Sequence, residues 1–196
     1  MRTIIGIDEV GRGPLAGPVT VCVVACEEKM YTKLKRDKRL PPLGKDSKKL
    51  SPVSREQYAK ILKNIGMLHA VIHVSNKLID SKGLSFCIKK AMADGLRKLK
   101  LDPKQTDIRL DGSLYAPKEF IKQKTIIKGD EKERIIAWAS ILAKVSRDSL
   151  MQKAGKKFPH YGFEIHKGYG TLSHRKVLSK YGISSFHRKT FCRNIV

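Results

Sequence analysis

Four acidic side chains stand where α/β proteins usually build chemistry. Asp8 and Glu9 follow the apolar run Ile4-Ile5-Gly6-Ile7, Asp111 closes Ile108-Arg109-Leu110 just before Gly112, and Asp130 follows Gly129 after Thr125-Ile126-Ile127. Each run reads as a short strand, and open α/β sheets gather their sites where strand ends meet loops. Carboxylates collected there suit hard, oxygen-preferring cations such as Mg2+. Two such ions would nearly neutralise four carboxylates and still leave positions for a phosphate oxygen and a water. That arrangement serves in-line phosphodiester hydrolysis.

Three of the four acids also have a plainer reading. Neighbours in a regular strand point to opposite faces, so Asp8 and Glu9 share a site only if the strand ends or bulges there; otherwise they belong to a solvated loop. Asp130-Glu131-Lys132-Glu133 fits a capping box, a role compatible with ligation because a carboxylate has two oxygens. Asp148 is a rival fourth acid, but it lies 18 residues beyond Asp130, about 27 Å along a helix. The two cannot serve one site, and Asp148 is expected to pair with Lys144 or Arg147.

These acids sit in a strongly basic chain. Its 196 residues hold 41 Lys and Arg against 18 Asp and Glu, a formal net charge of +23. Such an excess points to a polyanionic partner, because each neutralised phosphate releases counterions. With 41% hydrophobic residues, the chain can bury a core without disulfides or a structural metal. Cys22, Cys26, Cys87 and Cys192 contain no C-x-x-C pair and read as reduced, buried thiols of a cytoplasmic protein. His69 and His73 flank an apolar run that reads as a strand, so they are not expected to bind zinc. The longest strongly apolar stretch, residues 19–26, is far below the ~18 residues of a membrane span, and no signal-peptide core is present. No membrane partner is expected.

The elements that must position the acids follow from pattern. Strands are expected at residues 3–8, 19–26, 68–74, 108–110 and 125–127. Residues 29–49 read as a basic, Pro-containing connection. Ser51-Pro52 opens a helix, with Ser as cap and Pro at the first helical position. Residues 84–99 have helical apolar spacing, and a long buried helix runs from about residue 131 to near residue 153. An opening hairpin followed by strand–helix alternation predicts an α/β fold with a mixed sheet flanked by helices. The composition shifts at residue 153, which divides the chain into residues 1–152 and a small basic helical extension, 153–196. That extension holds ten Lys and Arg, one acid and seven of the thirteen aromatics. Most of these aromatics are expected to pack on the main domain rather than to stack on bases.

Three loops could grip a nucleic acid. Gly11-Arg12-Gly13 permits close backbone approach and an anion nest, with Arg12 as fixed charge. Ser47, Lys48 and Lys49 could hold phosphates, and His166-Lys167-Gly168-Tyr169 places a tyrosine between glycines where it could stack on a sugar. Read without reference to any family, each loop is equally consistent with an ordinary turn.

Taken in order, these segments resemble the ribonuclease HII family. The residues that carry the resemblance are Gly6-Ile7-Asp8-Glu9-Val10-Gly11-Arg12-Gly13-Pro14, Asp46-Ser47-Lys48-Lys49-Leu50-Ser51, Asp111-Gly112 and Lys128-Gly129-Asp130, continuing through Ala139-Ser140-Ile141-Leu142-Ala143-Lys144-Val145-Ser146-Arg147-Asp148, His166-Lys167-Gly168-Tyr169 and His187-Arg188-Lys189-Thr190-Phe191. Trp138 departs from the small residue usual there, and local repacking is expected. The resemblance implies a ribonuclease H-like fold and an endonuclease that cleaves the RNA strand of RNA–DNA hybrids and incises 5′ to ribonucleotides embedded in duplex DNA, leaving 5′-phosphate and 3′-hydroxyl ends. It implies Asp8, Glu9, Asp111 and Asp130 as ligands of Mg2+ or Mn2+, two ions in the catalytic complex. It also implies a glycine–arginine–glycine loop that reads the 2′-hydroxyl, and Tyr169 stacked on the sugar of the following deoxynucleotide. Ribonuclease HIII lacks this loop–tyrosine combination. The expected partners are RNA–DNA hybrid and ribonucleotide-containing duplex DNA, bound by a monomer. Two alternatives remain: a two-metal nuclease of the same fold acting on DNA, and a non-catalytic basic binding module that assigns no task to the acids.

Overall fold

β-branched and other apolar residues dominate the runs that become strands. In the computed structural model, which describes residues 2–43, 50–112, 114–193 and 195, they form five strands: β1 Thr3–Val10, β2 Val19–Glu27, β3 Leu68–Val74, β4 Thr106–Asp111 and β5 Gln123–Ile126. The sheet order is β3-β2-β1-β4-β5. β1 and β2 form the antiparallel hairpin and β3 pairs antiparallel to β2. β4 lies parallel to β1 and β5 parallel to β4. The mixed α/β sheet is the one expected from the sequence.

The helices are α1 Glu28–Leu34, α2 Pro52–Asn64, α3 Asn76–Lys82, α4 Leu84–Lys98, α5 Gly129–Lys132, α6 Arg134–Lys157, α7 Phe163–His166, α8 Leu172–Tyr181 and α9 Lys189–Cys192. Ser51 caps α2 as its position before Pro52 predicts, its side chain accepting from Ser54 N. On one sheet face Ile5, Ile7, Ile108 and Leu110 pack with the apolar side of α4. On the other, Ile4, Cys22 and Val24 meet α1, α2 and the buried half of α6. Gly6 faces α6, and a Cβ there would collide with the Ile135 carbonyl. Its bare backbone is what lets α6 lie close over β1.

Several expectations are corrected. β1 does not stop at Asp8 but runs through Glu9 to Val10. What stops is its ladder with β4, whose last partners are Ile7 and Leu110. The connection over residues 29–49 contains α1, which buries only Tyr31 and Leu34 and so leaves little periodicity to read. α3 is an element that the pattern does not announce; Ser75 caps it by accepting from Leu78 N. The capping box does not form. Asp130 lies inside the short α5, behind Lys128 in the left-handed region at φ 55°. Glu133 is extended at φ −132° and separates α5 from α6. Its carboxylate is drawn to Arg109 and Tyr31 instead of back to a cap N–H.

α6 continues unbroken past residue 153 to Lys157. Beyond it, Tyr161 and Phe163 stack with ring centroids 5.5 Å apart. With Phe158 and Phe186 they pack against Leu15, Ala16 and Met151. Most of the aromatics thus pack as expected, while Tyr169 and Tyr181 stay exposed. Trp138 is fully buried and meets Tyr31 edge-on at 5.7 Å. All four cysteines are free and buried, and among the described residues no helix is long and apolar enough to cross a membrane.

Candidate active site

Because β1 and β4 run parallel side by side, their C-terminal ends open at one edge of the sheet. Gly6 pairs with Arg109 in that ladder. Two residues further on, Asp8 and Asp111 therefore extend from the same face. Beyond Ile7 the β1 edge is free of β4, so Glu9 reaches the same space from the other side of the strand. β5 leads to the α5 turn that brings Asp130. All four acids line one cavity of about 730 Å3, together with Gly11, Arg12, Gly13, Ser140 and Tyr169.

The cavity is electrostatically tense. Asp8 is buried, and burial together with the charges of Glu9 and Asp111 holds its carboxyl well above the usual range, against the lowering effect of hydrogen bonds from Ser140 and the Glu9 N–H. Burial also raises Glu9, partly offset by Arg12, whose guanidinium lies 2.9 Å from Glu9 Oε1. The second oxygen, Glu9 Oε2, is buried without a hydrogen-bond partner. Asp111 Oδ1 accepts from Gly129 N at 2.6 Å. Among the described residues no group of three or more His, Cys, Asp or Glu is already disposed to hold a metal ion. An orphaned carboxylate oxygen beside a buried acid is nonetheless the environment a divalent cation relieves, and the oxygen-only donor set fits Mg2+ or Mn2+. His69 and His73 contribute nothing to it; His73 bonds Thr20 Oγ1 and Ser146 Oγ at 2.8 and 3.0 Å.

The loops around the cavity are held by groups that pattern reading missed. Arg147 and Arg188 are fully buried. Arg147 donates to the carbonyls of Pro18, Ala16 and Lys167 at 3.0, 3.2 and 3.0 Å. Arg188 donates to those of Gly17, Arg12 and Gly11 at 2.9, 2.8 and 2.6 Å. The two guanidinium groups tie the glycine-rich loop to the C-terminal segment. Gly11 has φ +88°, and a Cβ there would strike the Arg147 guanidinium, so glycine is required twice over.

Tyr169 is held by a chain of ordered protons. His187 Nδ1 accepts from Ser184 N at 2.9 Å, so its Nε2 carries the proton and donates to His174 Nε2 at 3.0 Å. His174 Nδ1 then donates to the Tyr169 carbonyl at 2.9 Å. His166, expected at the substrate, bonds the backbone through both ring nitrogens: Nε2 donates to the Tyr161 carbonyl at 2.6 Å and Nδ1 accepts from Gly168 N at 3.2 Å. Lys167 lines an adjacent groove with Lys60, Lys63, Arg55, Lys144 and two acids, Glu56 and Asp148. Arg55 and Lys144 also line the carboxylate cavity, which joins the two spaces. Asp148 pairs with Lys144 at 2.8 Å, one of the two partners expected for it. Ser47, Lys48 and Lys49 lie outside the described residues.

Comparison with known proteins gives a consistent picture. A family profile described as ribonuclease HII matches residues 5–194. The chain is 40% identical over 195 residues to a ribonuclease HII of Clostridium beijerinckii, covering 100% of this chain and 69% of that one. Its fold superposes on the crystal structure of ribonuclease H2 from Pyrococcus horikoshii with a TM-score of 0.80 at 27% identity, over 98% of this chain and 96% of that one. A Bst ribonuclease HIII in complex with Mn2+ is similar in fold at a TM-score of 0.66 and 18% identity, over 92% of this chain and 63% of that one.

Proposed function

The chain belongs to the ribonuclease HII family, hydrolases that cleave the RNA strand of RNA–DNA hybrids, and from that premise we propose that it also incises 5′ to single ribonucleotides in duplex DNA, with Asp8, Glu9, Asp111 and Asp130 holding two divalent cations. The observation that carries this reading is the buried, partnerless Glu9 Oε2 in a cavity shared by all four acids. Mg2+ or Mn2+ bound there supplies the positive charge that favours water attack and departure of the 3′ oxygen.

This chain's own residues then have distinct tasks. The four acids fix where the cations sit. Ser140 orients Asp8 by its hydrogen bond. The loop Gly11-Arg12-Gly13 presents backbone at the cavity rim, where a 2′-hydroxyl distinguishes a ribonucleotide from DNA. Tyr169, 41% exposed at the same rim, offers its ring to the sugar of the next deoxynucleotide. The groove bearing Lys60, Lys63 and Lys167 continues the cavity as a track for the phosphate backbone, with Ser47, Lys48 and Lys49 as further phosphate contacts. Residues 153–196 act as the basic extension that completes the grip. Bond breaking at P–O3′ leaves a 3′-hydroxyl and a 5′-phosphate.

The test compares two DNA duplexes that differ by one 2′-hydroxyl. Incision confined to the ribonucleotide duplex, with Tyr169→Ala reducing it more than cleavage of a long hybrid, is expected. Equal cutting of both duplexes would show a DNA nuclease of the same fold instead.

A further inference from the structure

Asp130 has no long element of its own to hold it. It lies in a four-residue helix between two irregular residues, Lys128 and Glu133. The strand β4 grips that turn at both ends. At the front, Asp111 Oδ1 accepts from Gly129 N at 2.6 Å. At the back, Arg109 Nη1 donates to Glu133 Oε2 at 2.6 Å. Arg109 and Asp111 are two residues apart on one strand and so share a face.

Glu133 is held from a third side. Its other oxygen accepts from the Tyr31 hydroxyl of α1. The Arg109 guanidinium lies 5.2 Å from the centre of the Tyr31 ring, and Trp138 packs against that ring's edge. Glu133 also makes the backbone joint. Its N–H donates to the Gly129 carbonyl at 2.7 Å, and its carbonyl accepts from Ile136 and Ala137 at 3.1 and 3.0 Å. A carboxylate fixed by Arg109 and Tyr31 therefore fixes where α5 ends and α6 begins, with Asp130 between the anchors.

We infer that Arg109, Glu133 and Tyr31 form a positioning lock that presents Asp130 to the cation site, so that cation affinity depends on three residues outside the cavity. The inference rests on the reading of Asp130 as a cation ligand. None of the three lines the cavity, so they are positioning residues. Partners that orient metal ligands typically change affinity 10- to 100-fold when removed.

The test uses Mn2+ alone, titrated by calorimetry into the full chain without nucleic acid. The double variant Arg109→Met, Glu133→Leu replaces the ion pair with apolar side chains of similar volume, a change that commonly leaves stability intact. The lock predicts about tenfold weaker Mn2+ binding with a melting temperature near that of the parent. Tyr31→Phe removes one hydroxyl and should weaken binding by a smaller factor, which keeps the inference testable if the double variant folds poorly. Unchanged Mn2+ affinity in whichever of these variants folds overturns the lock. Asp130→Asn separates the two claims: if it leaves Mn2+ affinity unchanged, the reading of Asp130 as a ligand fails, whereas weakening by Asp130→Asn alone retains that reading and removes the lock.

Discussion

Asp8→Asn should make the metal-free protein more stable while abolishing its activity. Asp8 is 5% exposed, and the charges that raise its pKa, Glu9 and Asp111, are of the same sign. Its folded pKa is raised, so at neutral pH its ionised form opposes folding, and this cost disappears as pH falls. Asparagine keeps the oxygen that accepts from Glu9 N at 2.8 Å and removes the charge. An unsatisfied buried polar group costs on the order of 1–3 kcal/mol, and a charged one more. Relief of about 2 kcal/mol corresponds to roughly 4–8 °C for a chain of this size. Scanning calorimetry at pH 7.5 in EDTA and then in Mn2+ reads both halves of the argument. The parent should gain stability from Mn2+ and the variant little. A variant that melts at or below the parent in EDTA, or that gains equally from Mn2+, refutes the claim that Asp8 is a strained ligand awaiting a cation.

Three further outcomes follow from the groups around the cavity. Arg147→Lys keeps the charge but cannot fork to three carbonyls; the urea midpoint should fall by the equivalent of about 3 kcal/mol or more, and an unchanged midpoint would deny the staple. Lys60→Gln with Lys63→Gln should lower the slope of log affinity for RNA–DNA hybrid against log salt by roughly 2, about 0.9 for each phosphate no longer neutralised; an unaltered slope would place the duplex elsewhere. Burial and the neighbouring His174 push the His187 pKa down to about 4. The folded state thus binds fewer protons than the unfolded chain between about pH 4 and 6.5, and stability should fall as pH drops through that window, by up to about 3 kcal/mol. His187→Gln should flatten that dependence, as read by urea unfolding across the window; identical profiles for parent and variant would contradict the proton chain.

The fold was largely legible because its signals are local. Residues 68–74 hold the apolar run Ala70-Val71-Ile72 between His69 and His73, and the strand lies there. Ser51-Pro52 is a strong start signal, and the helix begins there. The carboxylates were legible for a different reason, since acids at strand ends stand out in so basic a chain. What local pattern could not show was tertiary. Glu133 looks like half of a capping box until Arg109, 24 residues away, and Tyr31, 102 residues away, compete for its carboxylate. Arg147 is expected only as a partner for Asp148 and Arg188 is given no task, because nothing nearby in sequence announces that each will meet three backbone carbonyls. His166 lies within a motif associated with the substrate, and local spacing does not announce that both its ring nitrogens bond the backbone of its own segment. α1 and α3, each seven residues long, are too short for periodicity to register.

The most direct measurement is a crystal structure of the protein with a hybrid bearing a non-cleavable linkage, grown in Mn2+ and collected with anomalous scattering. Two Mn2+ peaks within coordination distance of Asp8, Glu9, Asp111 and Asp130 are expected, with Glu9 Oε2 ligated. Peaks lying elsewhere, or a bound hybrid with no Mn2+ at these carboxylates, would contradict the assignment.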